Sequence, residues 1–537
     1  MLNIKINYLL IGFVLLLSVH FTSAQDSVKI KKHLKYLGSD LFEGRGTGTI
    51  GSELAAKYIA FNLNKHNITP LGYENTFYQY VPMHGSKATN KSYLIVLGNG
   101  KVENNIDTLL INDDFLFAHA AGRIFTPNPI PIVFVGYGIT ANEYNYDDYK
   151  NVNVEGKMVV FLEGEPWSNK KDFFKGNLKT IYSFPDTKQK IALSKGAVGT
   201  IQIPSFTGKT NVAWNKLIEE YNFEDITLAY LPTPVLSVLL NPKAANNLFN
   251  NSKYSYEKIK KMYSQQKLKS FELNKRLLLH PDIIRRDFLS PNIVGFIEGA
   301  DVKLKNEYIV VSAHYDHLGI GIPVNGDSIY NGVLDNAIGV SALLELSRIL
   351  GTKNIALKRS IIFLFVTGEE KGLLGSNYFV EHLPIGKENI IADINIDGLA
   401  VWGDFKSIIG VGANFSSLQQ ILKKVAYQNN LIIEELPQQF DAYESFLRSD
   451  QLTFALAGIP SILISDGFRY TNFSKKEILL KWKDYMMNKY HTPFDDLTQK
   501  INYKASVKHV KILLSFLKEL ANTNINVEWK NNSPFQK

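Results

Sequence analysis

The 537-residue sequence contains no cysteine. That excludes a disulfide framework, a thiolate metal site and a lipid-modified cysteine, and leaves the hydrophobic core alone to hold the chain together. Long apolar runs are almost as scarce. The one candidate, Tyr8 to Val19 in MLNIKINYLLIGFVLLLSVHFTSAQ, is shorter than the ~20 residues a spanning helix needs. It follows Lys5 and precedes the small residues Thr22 and Ala24, so it reads as a secretory signal cleaved after Ala24. The expected product is exported, periplasmic or extracellular, without a stable membrane anchor. No repeat of solenoid or propeller period is present. A concentrated basic block is missing too: the net charge is +8, but the lysine-rich stretch 253–276 is interleaved with acidic and polar residues. It reads as a solvated helical face, and no nucleic-acid partner is expected.

What is present is apolar residues in quantity, 45% hydrophobic with 12% aromatic, enough to bury the cores of two domains. After the leader (1–24), residues 25–104 open with two amphipathic segments split by a glycine-rich break, Ser39 to Gly51. Residues 105–285 hold short strand-like runs such as PIPIVFVGYGI, GKMVVFLEGEP and GTIQIP, with a helix in KQKIALSKGA. Residues 286–525 alternate apolar strands with amphipathic helices, and 526–537 form a tail. The alternation predicts an α/β layer with a mixed, mostly parallel central sheet flanked by helices, beside a smaller β-rich domain.

Three strand candidates are continuous apolar runs of the kind covered on both faces: EYIVVSA (307–313), RSIIFLFVT (359–367) and NIIADINI (389–396). In parallel sheets, ligand sites gather beyond the carboxyl ends of the strands. The residues there are His314 and Asp316 in HYDHLG, Glu369 and Glu370 in GEEKGLLGS, and Asp397 in DGLA. Asp335, in the turn YNGVLDNAIGVSALL, and His491, in YHTPFDD, extend the set. Imidazole and carboxylate donors without sulfur suit zinc, and so many carboxylates suit two ions sharing Asp335 better than one tetrahedral ion. Of the adjacent glutamates, one can coordinate while its neighbour serves as a base. Asp316 is placed to accept from the second nitrogen of His314. His317 reads as an ordinary loop histidine.

The ordered motifs HYDHLG, NGVLDNAIGV, GEEKGLLGS, NIDG and YHTPFDD resemble the co-catalytic zinc aminopeptidase family, related to glutamate carboxypeptidase and the transferrin receptor. The stretch VFVGYGITANEYNYDDYKNVNVEGKMVVFLEGEP is similar to the protease-associated domain often inserted in such enzymes. The resemblance implies two Zn2+ ions bridged by Asp335, with His314 and Asp397 on one, Glu370 and His491 on the other, and Glu369 as general base. It implies a bridging hydroxide attacking peptide substrates at a free N-terminus, and a cis peptide bond after Asp335. Leu334 stands where many relatives have aspartate. Phe440, Tyr443 and Phe446 either line a side-chain pocket or pack the loop that carries them, and aromatics serve both uses equally. The alternatives are a carboxypeptidase or dipeptidase, using Arg448 for a substrate carboxylate, and a catalytically inactive receptor-like binding module.

Overall fold

A computed structural model describes residues 26–537 except 99–105, 120–127, 171, 177–178, 205–213, 231–235, 353–354, 438–445, 532 and 537. The leader and its cleavage site lie outside the described residues. Two compact units divide the chain, one running from Met83 to Phe288 and the other comprising the residues up to Pro82 and Leu289–Lys537. The change of character read near Asn105 falls inside the first of these. Tyr93–Gly98 already pairs with Lys275–His280 there, so that unit starts earlier than the composition suggests.

In the larger unit the strands that matter are β1 (Ile283–Ile297, through its last residues), β2 (Tyr308–His314), β3 (Ser360–Val366), β4 (Ile390–Asn395), β5 (Ser407–Val411) and β6 (Ser461–Asp466). They lie in the order β1-β3-β2-β4-β6-β5, and β3, β2, β4 and β6 are mutually parallel. The helices are α1 (26–37), α2 (Ile50–Lys65), α3 (Ile338–Thr352), α4 (Leu374–Glu381), α5 (Leu418–Gln428), α6 (Gln451–Leu456), α7 (Lys475–Asn488) and α8 (Tyr503–Asn522). Strand β3 shows why its sequence has no polar alternation. Ile361, Phe363 and Phe365 enter one core with α2, α3 and α8, while Ile362, Leu364 and Val366 enter a second with Phe379 of α4 and Phe454 of α6. Successive side chains leave a strand on opposite faces, and here both faces are covered.

The glycine-rich break before α2 is a cap. Thr49 Oγ1 accepts from Ser52 N while Ser52 Oγ accepts from Thr49 N, a reciprocal capping box. Gly51 has no substitute, since a Cβ there would lie 1.8 Å from the Phe42 carbonyl oxygen.

Among the described residues the smaller unit carries an eight-stranded sheet in which Ile130–Phe134, Met158–Leu162, Gly199–Ile203 and Ser237–Leu240 run parallel, with antiparallel strands at both sides. The 253–276 stretch is not one solvated helix. Helix Tyr256–Ser264 gives way to strand Phe271–His280, whose strictly alternating burial in FELNKR follows its period-two sequence.

Candidate metal centre

The parallel strands deliver their carboxyl ends to one place. His314 ends β2, Glu369 and Glu370 occupy the turn after β3, and Asp397 follows β4. Asp335 arrives on the turn before α3, and His491, in left-handed backbone at φ 57°, arrives after α7. His314 Nε2 lies 3.3 Å from Asp335 Oδ1 and 3.4 Å from Asp397 Oδ1. His491 Nε2 lies 3.3 Å from Asp335 Oδ2 and 3.1 Å from Glu370 Oε2. The two oxygens of one carboxylate thus face two separate donor sets.

These spacings can be tested against zinc. Tetrahedral donors about 2.0–2.1 Å from an ion stand roughly 3.3 Å apart. Both sets have that spacing, and the buried Nε2 atoms of His314 and His491 have no hydrogen-bond partner. Donor atoms of His314, Asp335 and Glu370, and separately of His314, Glu369 and Asp397, lie within 4.8 Å of one another. The residues fit a divalent cation at each position.

Electrostatics separates the two adjacent glutamates. Burial and Asp335 push Glu370 up, but His491 and His317 outweigh them and bring it down to about 2. Burial, aided by Asp450, Glu370 and Asp397 against His314, holds Glu369 well above the ordinary carboxyl range. Two carboxyl groups whose environments push them apart are suited to different tasks. Burial would lower His491, yet Glu370 and Asp335 push it up to about 10. Asp335, raised by burial, is drawn well below its ordinary value by His314 and His491.

The Asp335 turn is held from three sides. Asp495 accepts from the backbone N–H groups of Leu334 and Asp335, the latter at 3.0 Å, and from Tyr485 Oη. Asn336 donates to Ile396 O and accepts from Gly339 N and Gly398 N, tying the start of α3 to the Asp397 segment. Arg45, 1% exposed, donates to the carbonyls of Leu37, Tyr315, Asn331 and Gly332 at 2.7–2.8 Å. The peptide bond from Asp335 to Asn336 is cis. Gly332 sits at φ 56°, and a Cβ there would come within 2.1 Å of the Asp335 carbonyl oxygen and 2.4 Å of His317 Cγ.

Several expectations need correction. Asp316 does not orient His314 through its carboxylate: its backbone carbonyl lies 3.2 Å from His314 Nδ1, whereas Oδ1 stands 4.0 Å away. The carboxylate instead accepts from Thr47 Oγ1 and Glu369 N, beyond the end of the neighbouring strand β3. His317 is not a loop histidine. It is fully buried, with Nδ1 2.6 Å from Glu370 Oε1. Phe446 belongs to the core, packed on Phe415 and Phe535, while Phe440 and Tyr443 lie outside the described residues. Arg45 and Asp495 were within reach of sequence reading: one is a lone cation inside a glycine-rich turn, the other belongs to the motif that supplied His491.

Beside the centre opens a cavity of about 330 Å³, lined by Asp335, Asp397, Leu334, Trp402, Phe468 and Trp482 among others. Among the described residues no Lys or Arg lines it.

Residues 292–517 match Peptidase family M28. A probable leucine aminopeptidase 2 of Aspergillus oryzae is 30% identical over 180 residues, 32% of this chain and 32% of that protein. Aminopeptidase YwaD of Bacillus subtilis is 35% identical over 94 residues, 18% of each chain. The chain therefore spans about a third or less of the curated relatives it matches. The solved aminopeptidase from Aneurinibacillus sp. strain AM-1 shares the fold at a TM-score of 0.55 and 15% identity, over 95% of this chain and 97% of that one. Residues 292–517, the part of the chain that matches Peptidase family M28, carry the whole donor set.

Proposed function

We propose that the protein is a zinc aminopeptidase that holds two ions on Asp335 and removes N-terminal residues from peptides. The observation that carries this reading is the division of Asp335, one oxygen toward His314, whose Nε2 also meets Asp397, and the other toward His491, whose Nε2 also meets Glu370. His314, Asp335 and Asp397 would hold one ion, and Asp335, Glu370 and His491 the other. When bound, zinc supplies Lewis acidity, polarising a carbonyl and lowering the pKa of water.

The side chains do the rest. Glu369, raised by its surroundings, takes a proton from the attacking water and returns it to the departing amine nitrogen. Asp316 receives the Glu369 backbone N–H and fixes that turn, which makes Asp316 a positioning residue. Among the described residues the cavity wall offers carboxylates and no cation, which favours a protonated N-terminal amine over a substrate carboxylate and supports aminopeptidase over carboxypeptidase action. Leu334, Trp402, Phe468 and Trp482 favour a bulky apolar N-terminal side chain. The named aminopeptidases among the relatives support the same class. We assign the smaller unit as the protease-associated-like insertion and the product as exported. Among the described residues no helix is long and apolar enough to cross a membrane.

The test is hydrolysis of aminoacyl chromogenic substrates with free and blocked amines, before and after chelation. Turnover of free-amine substrates with large apolar residues, abolished by chelator and restored by zinc, is expected. Hydrolysis of blocked peptides alone would overturn the aminopeptidase reading.

A further inference from the structure

His317 has no place in the mechanism above, yet it is among the most constrained side chains of the centre. Its exposure is 0%, its backbone N–H donates to the Arg45 carbonyl, and its ring lies against Gly332, where any added Cβ would collide with it. Arg45 also grips the carbonyls of Asn331 and Gly332, so one buried guanidinium fixes the floor and one wall of the space the imidazole occupies. The ring cannot swing out. Its Nδ1 is held 2.6 Å from Glu370 Oε1 and 3.9 Å from Asp335 Oδ2.

The consequence falls on Glu370. That carboxylate has two oxygens with different neighbours: Oε2 faces His491 Nε2 at 3.1 Å, within the second donor set, while Oε1 faces His317. A carboxylate free to rotate can offer an ion either oxygen or both. One whose outer oxygen is fixed by an N–H donor presents a single oxygen in a single direction. We propose that His317 is a positioning residue that donates its Nδ1–H to Glu370 Oε1, locks Glu370 as a one-oxygen ligand, and so sets the affinity of the ion position shared by Asp335, Glu370 and His491. This rests on the two-ion reading of the centre. The nearest counterpart across the centre is Asp316, whose carbonyl meets the His314 ring. There the carbonyl orients an imidazole, whereas here an imidazole orients a carboxylate.

Partners that orient metal ligands typically govern 10–100-fold in affinity. The experiment measures zinc retained against a graded chelator, together with the visible spectrum on cobalt titration, for wild type, His317→Asn, His317→Gln and His317→Leu. Asn places its amide N–H close to where Nδ1 stands, whereas Gln carries it one methylene further, past Oε1. Wild type and His317→Asn are expected to hold two ions with similar affinity. His317→Gln and His317→Leu are expected to keep the first ion and release the second at roughly 10–100-fold higher free zinc. Should His317→Leu fail to fold, the contrast between Asn and Gln decides the matter. Equal second-ion affinity in all four proteins would overturn the proposal. So would equal loss in Asn and Leu, which would make the ring itself a ligand. If wild type takes up one ion only, the two-ion reading fails, and the positioning role is then judged on that ion: loss in Gln with recovery in Asn sustains it, and no difference ends it.

Discussion

Both units bury charge, and they do so in opposite ways. In the smaller unit the fully buried Lys188 donates to the carbonyls of Leu162 and Gly164 and lies over the rings of Tyr137 and Phe161. Its acidic counterpart Asp148 accepts from Tyr137 N, Ile139 N and Tyr146 Oη. Lys188 and both oxygens of Asp148 thus have partners within the protein, which is the signature of a structural network. In the larger unit carboxylates crowd together, and the buried Nε2 atoms of His314, His317 and His491 have none. A charge cluster that is incomplete within the protein is one that something else completes.

The largest way to sharpen this contrast is Glu369→Gln. Loss of a general base should cost about 10²–10⁴ in kcat, with metal content unchanged by elemental analysis. A variant that loses its metal would instead place Glu369 among the ligands. Next is Arg45→Met. Removing the guanidinium strands four carbonyls and leaves the acids without their buried cation, so stability should fall by about 3–5 kcal/mol, read as a drop in melting temperature. A melting temperature near wild type would mean that the Asp335 turn does not depend on Arg45.

The smaller unit predicts a pH effect. Burial lowers Lys188 from its ordinary 10.5 to about 7, against Asp148, Glu165 and Glu163. Between these values the unfolded chain binds the proton that the folded unit has lost. Stability from this group therefore rises with pH from about 7 toward 10, by a few kcal/mol at about 1.4 kcal/mol per unit. Lys188→Met should flatten that rise in melts of the unit's transition, and an unchanged slope would assign it elsewhere. The smallest effect is expected from Asp495→Asn, which keeps the size of the acceptor but not its charge. Metal affinity should fall roughly 10-fold by chelator competition, and no change would confine Asp495 to holding the backbone.

The sheet and its site were legible because their physics is local. β3 sends alternate residues into two cores, so its run of apolar residues announces a strand covered on both faces, and the polar residues after it must lie at the strand end. The donors therefore appear in sequence order beside their strands. Less legible were the side chains whose roles depend on a turn closing. Asp316 and His317 are neighbours in HYDHLG, yet one turns to the Glu369 amide and the other to the Glu370 carboxylate. Spacing along a strand says nothing of direction once the strand has ended. Arg45 is connected to Tyr315, Asn331 and Gly332 only by the fold, and no pattern near residue 45 names them. Phe446 shows the converse: an aromatic in a polar stretch reads equally as pocket lining or as packing until the core around Phe415 and Phe535 is seen.

The account stands on Asp335 as a shared ligand, and metal stoichiometry tests it most directly. Wild type and Asp335→Ala, each dialysed against low zinc, are compared by elemental analysis. Two ions per chain in wild type and fewer than one in Asp335→Ala are predicted. Two ions retained without the Asp335 carboxylate would contradict the account.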